Sequence, residues 1–308
     1  MYTLEDYDCK SVGKLIITLA PTGMIPTKES TTYVPITPED IAKDTYEAYK
    51  LGASIVHVHA RDEFGKPTYK KDVFEKIFSE IKRKCPNIII CATTSGRVHP
   101  QVEHRTEVLD LQPEMASLTM GSLNFPQHPS VNSMETKKKI ALTMKEKGIL
   151  PELEIFEPGF INTAKYLARK GYLKTPLHFS LLLGSLGSMP ANISDLTYLT
   201  QLLPSESNWS ATGIGRFQVQ INVAAILMGG HVRVGIEDSI YHNYPHEELA
   251  TNVKLVERIV KIAKELHRDI ATPKETREML GLSDLEIKTQ RRQKDQTKTT
   301  IRSLQSLS

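Results

Sequence analysis

Eight short apolar or alternating runs recur along the chain, at residues 14–20, 54–60, 87–93, 115–120, 152–156, 178–183, 208–214 and 231–236. Several are rich in Ile, Val and Thr, which suits strands. Between most of them the spacing changes to that of helices, at 38–52, 71–83, 136–147, 161–171, 193–203 and 216–228. Thr37, Pro38 and Gly52 punctuate the first of these as N-cap, first helical residue and C-terminal stop. Strands that alternate with helices predict a parallel sheet. Eight such units predict an α/β fold closed into a (β/α)8 TIM barrel. A doubly wound open sheet is the alternative, but no GxGxxG follows the first run, as a dinucleotide fold would want. After the eighth run the pattern predicts a long helix over 246–267 and a capped helix over 272–280, a C-terminal helical extension.

A chain of 308 residues holds one barrel of the usual ~250 residues with extensions. The expected division is an N-terminal extension at 1–13, a catalytic barrel at 14–288 and a disordered basic tail at 289–308. The tail is rich in Gln, Thr, Ser and Arg with little to bury. The net charge of +3 is unevenly spread: the tail carries +4, which leaves about −1 for the rest. A basic tail is not a basic face on the fold, so no nucleic-acid partner is expected. The three cysteines, Cys9, Cys85 and Cys91, are odd in number and form no CxxC pair. They argue against a disulfide framework and for a reducing, cytoplasmic setting. The first residues lack the apolar stretch of a secretory signal, and no run approaches 18 apolar residues, so no membrane partner is expected.

The sharpest chemical signal is His57-Val58-His59. Residues two apart on a strand face the same way, so both imidazoles project together at the C-terminal end of the second strand. That is the face on which TIM barrels build their active sites. An isolated HxH is more often a pair of core or surface histidines; this placement favours a metal. Two imidazoles with a carboxylate and an open position make a catalytic zinc site. The eighth strand supplies a carboxylate: Arg233, Gly235 and Glu237 share one parity, and closure brings strand 8 to strand 1, beside strand 2. The bland reading of Glu237 is a solvated acidic turn. Arg233 and Asp238 form a candidate ion pair beside the metal, either bracing the rim or serving proton abstraction with the carboxylate as base. Hydroxyls and glycines gather at the same strand ends: Thr22 and Gly23, Thr93 to Gly96, Ser117 and Thr119, and Gly213 and Gly215. They suit an anionic ligand. His178 and His231 begin their strands and belong to the opposite, stability face.

Several segments together resemble the beta-keto acid cleavage enzyme family, over about residues 14–280. They are TGM at 22–24, PITPEDIA at 35–42, GASIVHVHARD at 52–62, PEMASLTMGSLNF at 113–125, GIGR at 213–216 and GGHVRVGIED at 229–238. The resemblance implies a zinc-dependent TIM barrel, usually a homotetramer, that takes a β-keto acid and acetyl-CoA and releases acetoacetate and a new acyl-CoA. It implies His57, His59 and Glu237 as zinc ligands and Arg233 and Asp238 as the catalytic pair. It also implies Thr93, Gly96 and Ser117 as contacts to the keto acid, and leaves the residues that hold CoA open. One departure bears on substrate. The branch acting on an amino keto acid places a Glu two residues after the TG, where this chain has Met24 and Ile25. An apolar residue cannot pair an ammonium, so a substrate without the 5-amino group is expected. Two rivals stand beside this reading. One is a metal-dependent hydrolase or aldolase that needs no CoA; the other is a metal-binding scaffold without catalysis.

Overall fold

In a computed structural model the described residues are 12–126, 128–245 and 248–282. Eight parallel strands close into a barrel in sequence order: β1 (Ile17–Leu19), β2 (Ile55–Val58), β3 (Ile89–Ala92), β4 (Met115–Thr119), β5 (Leu150–Ile155), β6 (His178–Leu183), β7 (Asn208–Gly213) and β8 (His231–Val234). Closure pairs Thr18 of β1 with Arg233 of β8 on one side and with Ile55 of β2 on the other. Helices wrap the outside: α1 (Pro38–Leu51), α2 (Lys71–Lys84), α3 (Val102–Glu107), α4 (Met134–Glu146), α5 (Pro158–Arg169), α6 (Ile193–Leu202), α7 (Gln218–Leu227) and α8 (Asn252–Glu265). A further helix, α9 (Pro273–Leu280), follows. The predicted TIM barrel is therefore present, and each predicted crossover helix exists within a few residues of its expected ends.

Local chemistry explains the boundaries. The side chain of Thr37 accepts a hydrogen bond from the Asp40 amide (3.1 Å), and Pro38 occupies the first turn. Thr272 and Glu275 form a reciprocal capping box on α9. Two expectations need correction. The long helix expected over 246–267 begins only at Asn252. Leu249 bridges Tyr241 in antiparallel fashion, Ala250 donates to the Ile240 carbonyl, and the Thr251 side chain caps the helix. The chain is thus extended where helical spacing had been read through a β-bridge. The six-residue α3, continued by a 3-10 turn at Val108–Leu111, was not expected at all; it is too short to show a period. Residues 1–11 of the extension expected at 1–13, and the whole tail expected at 289–308, lie outside the described residues.

The main apolar core fills the space between strands and helices. A smaller cluster, including Ile16, Ile55, Ile89, Met115, Ala271 and Leu280, closes the N-terminal end of the barrel, with α9 as its lid. There Arg277 makes a bidentate pair with Glu114 (2.7 and 2.9 Å), both buried. Above this floor the buried strand residues turn polar, including Glu152, Ser180, Ser210 and Arg233. Among the described residues no helix is long and apolar enough to cross a membrane.

Candidate active site and metal centre

The C-terminal mouth of the barrel is shaped by the turn that leaves β8. Its first residue must be glycine: a Cβ on Gly235 would lie 2.0 Å from the Ala20 carbonyl oxygen. The turn is pinned from several sides. Glu237 donates its amide to Ala20, Gly235 accepts from the Gln218 side chain, and Ile236 donates to the Asn252 side chain. Asn252 in turn donates to the Pro21 carbonyl and to Asp44. Glu237 therefore arrives at the mouth on a backbone with little freedom. The β1 loop crosses directly over it: Gly23, at φ 64°, leaves room for Glu237, whose Cγ would lie 2.5 Å from a Cβ there. Arg61 holds this loop down through the carbonyls of Gly23 (2.8 Å) and Pro26 (2.9 Å).

His57, His59 and Glu237 meet beneath that loop. The two Nε2 atoms are 3.2 Å apart, and His59 Nε2 lies 3.1 Å from Glu237 Oε1. One donor atom from each residue lies within 4.8 Å of the other two. His57 Nδ1 is 2.9 Å from the fully buried carboxylate of Glu152. That contact sets Nδ1 as the protonated nitrogen and turns Nε2 toward the centre, the arrangement metal-ligating histidines use. Burial opposes ionisation of Glu152, but contact with His57, together with the Arg233 charge, outweighs it and holds the carboxyl down at about 2. Glu237 behaves alike. Burial would raise it, yet Arg233 and the two histidines keep it well below the carboxylate range. Its second oxygen, Oε2, is buried without a hydrogen-bond partner among the described residues. A divalent cation fits this set: two imidazole nitrogens, one ionised carboxylate and an orphaned buried oxygen are what such an ion satisfies.

Arg233 organises the acidic groups. It donates to both oxygens of Asp238 (2.9 and 3.0 Å) and to Glu237 Oε1 (2.7 Å), and its Nη1 lies 3.7 Å from Glu154. Glu154 also accepts from Thr119 at 2.6 Å. Burial pushes Asp238 above its ordinary value, partly offset by Arg233. A carboxylate held by a fixed guanidinium, buried, and open to a cavity can take a proton from carbon.

The cavity above these groups is about 530 Å³ and reaches His59, Arg233, Glu237 and Asp238. Thr93 lines it. Ser117 lies beneath the surface, where its Oγ accepts from the Thr94 amide (3.3 Å). Gly96 is buried against Arg105. Met24 and Ile25 both line the cavity, on the β1 loop. His178 and His231 sit at the beginnings of β6 and β8, at the barrel's other end. The expected fifth run, 152–156, holds both Glu152 and Glu154, but sequence reasoning gave no role to Glu152, the group that orients His57. The signal was present: Glu152 and Glu154 are two carboxylates two apart on a strand, the same parity argument that singled out the histidines. Arg61 gave no such signal, because its partners are loop carbonyls.

The model of the beta-keto acid cleavage enzyme family matches residues 14–282. The chain is 43% identical over 271 residues to a 3-keto-5-aminohexanoate cleavage enzyme of Fusobacterium nucleatum subsp. nucleatum, covering 87% of this chain and 98% of the relative. It is 41% identical over 273 residues to the enzyme of that name from Acetoanaerobium sticklandii, covering 88% and 99%. It is 33% identical over 277 residues to a 3-oxoadipate:acetyl-CoA acetyltransferase of Cupriavidus necator, covering 88% and 96%. Among solved structures, apo ObcA superposes with a TM-score of 0.73 at 21% identity, over 82% of this chain and 66% of that one, a likeness of fold. With its closed eight-stranded barrel and a family match that spans residues 14–282, the chain belongs to the beta-keto acid cleavage enzyme family.

Proposed function

We propose that this protein is a zinc-dependent acyltransferase that condenses a β-keto acid with acetyl-CoA and releases acetoacetate and a new acyl-CoA. The observation that carries the reading is the fixed Arg233–Asp238 pair standing beside the His57, His59 and Glu237 donor set in one cavity. Binding alone needs no buried carboxylate poised as a base.

Histidine, histidine and a carboxylate with a position left open is the donor set of catalytic zinc sites, and when bound the ion supplies Lewis-acid polarisation of a carbonyl oxygen. The chain's own groups do the rest. Asp238, held by Arg233, accepts a proton from the carbon between the keto group and the carboxylate. Arg233 keeps the carboxylate in place and balances the acidic groups around it. The carbanion equivalent attacks the acetyl thioester, a C–C bond forms and CoA thiolate leaves. The thiolate then attacks the original keto carbon. The C–C bond to that carbon breaks, the proton returns, and acetoacetate departs beside the new acyl-CoA. A cavity that shields the reacting carbons limits competing hydrolysis.

Met24 and Ile25 on the cavity wall support a substrate whose tail carries no ammonium. The same reading carries a homotetramer, and a reducing, cytoplasmic setting in keeping with the free thiols of Cys85 and Cys91. The test is a panel of β-keto acids assayed with and without acetyl-CoA, alongside metal analysis and light scattering. Expected are about one zinc per chain, acyl-CoA formation only with acetyl-CoA, and a low kcat/KM for 3-keto-5-aminohexanoate. Product formation without acetyl-CoA would sink the transferase reading. High efficiency on the amino substrate would sink the substrate assignment.

A further inference from the structure

One side of the cavity leads outward over residues that the chemistry above leaves unused. Leu186 after β6, Ile214 and Gly215 after β7, and Ile240 and Tyr241 after β8 line it. This side is tied to the reacting groups: Gly215, at φ 61°, donates its amide to the Asp238 carbonyl (2.7 Å). It is also wedged in place. A Cβ on Gly213 would lie 2.2 Å from the Phe217 carbonyl oxygen, and one on Gly184 would lie 2.7 Å from the Phe217 ring. Phe217 thus fills the gap between the β6 and β7 loops, and the residue before it, Arg216, is fixed at the rim.

Arg216 is exposed, yet it is held. Its guanidinium carbon stands 4.9 Å from the centre of the Phe217 ring and 5.6 Å from that of Tyr244. Its Nη1 donates to the Tyr244 hydroxyl at 3.5 Å. Stacking on aromatic rings engages a guanidinium by its face and leaves in-plane N–H donors for an anion. Among the described residues no carboxylate pairs with it. Across the loops after β6, β7 and β8, residues 184–192, 214–217 and 235–251, it is the sole lysine or arginine.

The charges deeper in the cavity say what such a cation is for. Glu154, Glu237 and Asp238 gather around Arg233, so the floor is acidic and its cation is committed. An acyl-CoA has a thioester on a weakly polar arm and a nucleotide end bearing phosphates. The thioester has to reach Asp238. The phosphates have to stay outside, because an acidic floor repels them and burial without a cation is costly. A largely apolar side that runs from Asp238 to one arginine at the rim matches both needs.

We propose that the side lined by Ile240 and Ile214 carries the arm of the cosubstrate, and that the guanidinium of Arg216 receives a phosphate of the CoA nucleotide. The proposal rests on the acetyl-CoA reading above. Arg216 is then a specificity-determining residue, which selects a phosphorylated thioester over a short one.

The test uses CoA, 3′-dephospho-CoA and pantetheine, which share the thiol and the arm and differ in phosphate. Each is titrated calorimetrically into the wild type, Arg216→Met and Arg216→Lys in zinc-supplemented buffer. The wild type is expected to bind CoA more tightly than pantetheine. Arg216→Met should weaken CoA by roughly 3- to 10-fold and leave pantetheine unchanged, which also reports an intact cavity. Arg216→Lys should recover part of the loss. If dephospho-CoA loses as much as CoA does, the diphosphate is the group received; if it loses nothing, the 3′-phosphate is. Either result supports the proposal. In turnover the loss should appear in KM for acetyl-CoA and not in kcat. The proposal is overturned if Arg216→Met binds CoA as the wild type does. It is also overturned if pantetheine weakens as much as CoA, which would make Arg216 a brace for the wall. Failure of the underlying reading looks different: the wild type itself binds none of the three and forms no acyl-CoA, and the proposal falls with it.

Discussion

At the scale of single residues, the site separates groups that hold from groups that react. Asp238 is held by two hydrogen bonds from Arg233 and is not one of the three gathered donor residues. Asp238→Asn keeps shape but removes the proposed base, so kcat should fall by about 10²- to 10⁴-fold while metal content is retained. Loss of metal in that variant would mean that Asp238 holds the ion instead. Glu152 acts one step further out, through His57. Glu152→Gln should weaken metal affinity by about 10- to 100-fold, read by competition with a chelator. An unchanged affinity would reduce Glu152 to a packing group. The histidines and Glu237 were legible because strand parity and barrel closure place them. Arg61 was not, since its partners are the loop carbonyls of Gly23 and Pro26.

At the scale of elements, legibility followed length and punctuation. α1 and α9 could be bounded from Thr37, Pro38 and Thr272 because capping is a local hydrogen-bond affair. The start of α8 could not, because the bridge of Tyr241 to Leu249 is a tertiary contact. The extension helix itself was visible, but its task was not. α9 covers the barrel floor and carries Arg277 onto Glu114, which is the preceding neighbour of β4 and is buried. Arg277→Ala leaves that carboxylate with Lys82 Nζ at 3.5 Å as its remaining cation. A loss of about 3 kcal/mol in unfolding free energy is expected, with little change in kcat, since this end of the barrel is far from the mouth. Denaturant unfolding against the wild type measures the first and turnover the second. An unaltered midpoint would show that the Arg277–Glu114 pair adds nothing to stability.

At the scale of the whole molecule, the barrel keeps its reactive charges at one end and neutral histidines at the other. His231 is buried, its Nδ1 accepts from the Ile16 amide (3.2 Å), and burial with nearby His178 and Arg268 presses its pKa down to about 3. The unfolded chain takes up that proton near pH 6.5, the folded one only near pH 3. Stability from this group is therefore complete above pH 6.5 and is lost as pH falls toward 3, at about 1.4 kcal/mol per unit. His231→Asn should flatten the dependence of the unfolding midpoint on pH between 7 and 5. An identical slope in both proteins would place the proton uptake elsewhere.

The contact between Gly23 and Glu237 has a consequence for how such an enzyme changes its diet. The loop that brings Met24 and Ile25 to the cavity wall is the loop whose Gly23 packs against the side chain of Glu237, a donor of the candidate metal centre. Positions 24 and 25 line the cavity and are expected to act as a selectivity dial. Position 23 is a fulcrum. Any side chain there displaces Glu237 and tilts the dial at once, so Gly23→Ala should lose metal and turnover together, while libraries at 24 and 25 should trade one keto acid for another at constant metal content. A laboratory lineage seeking new substrates would find its productive steps next to that glycine and never on it.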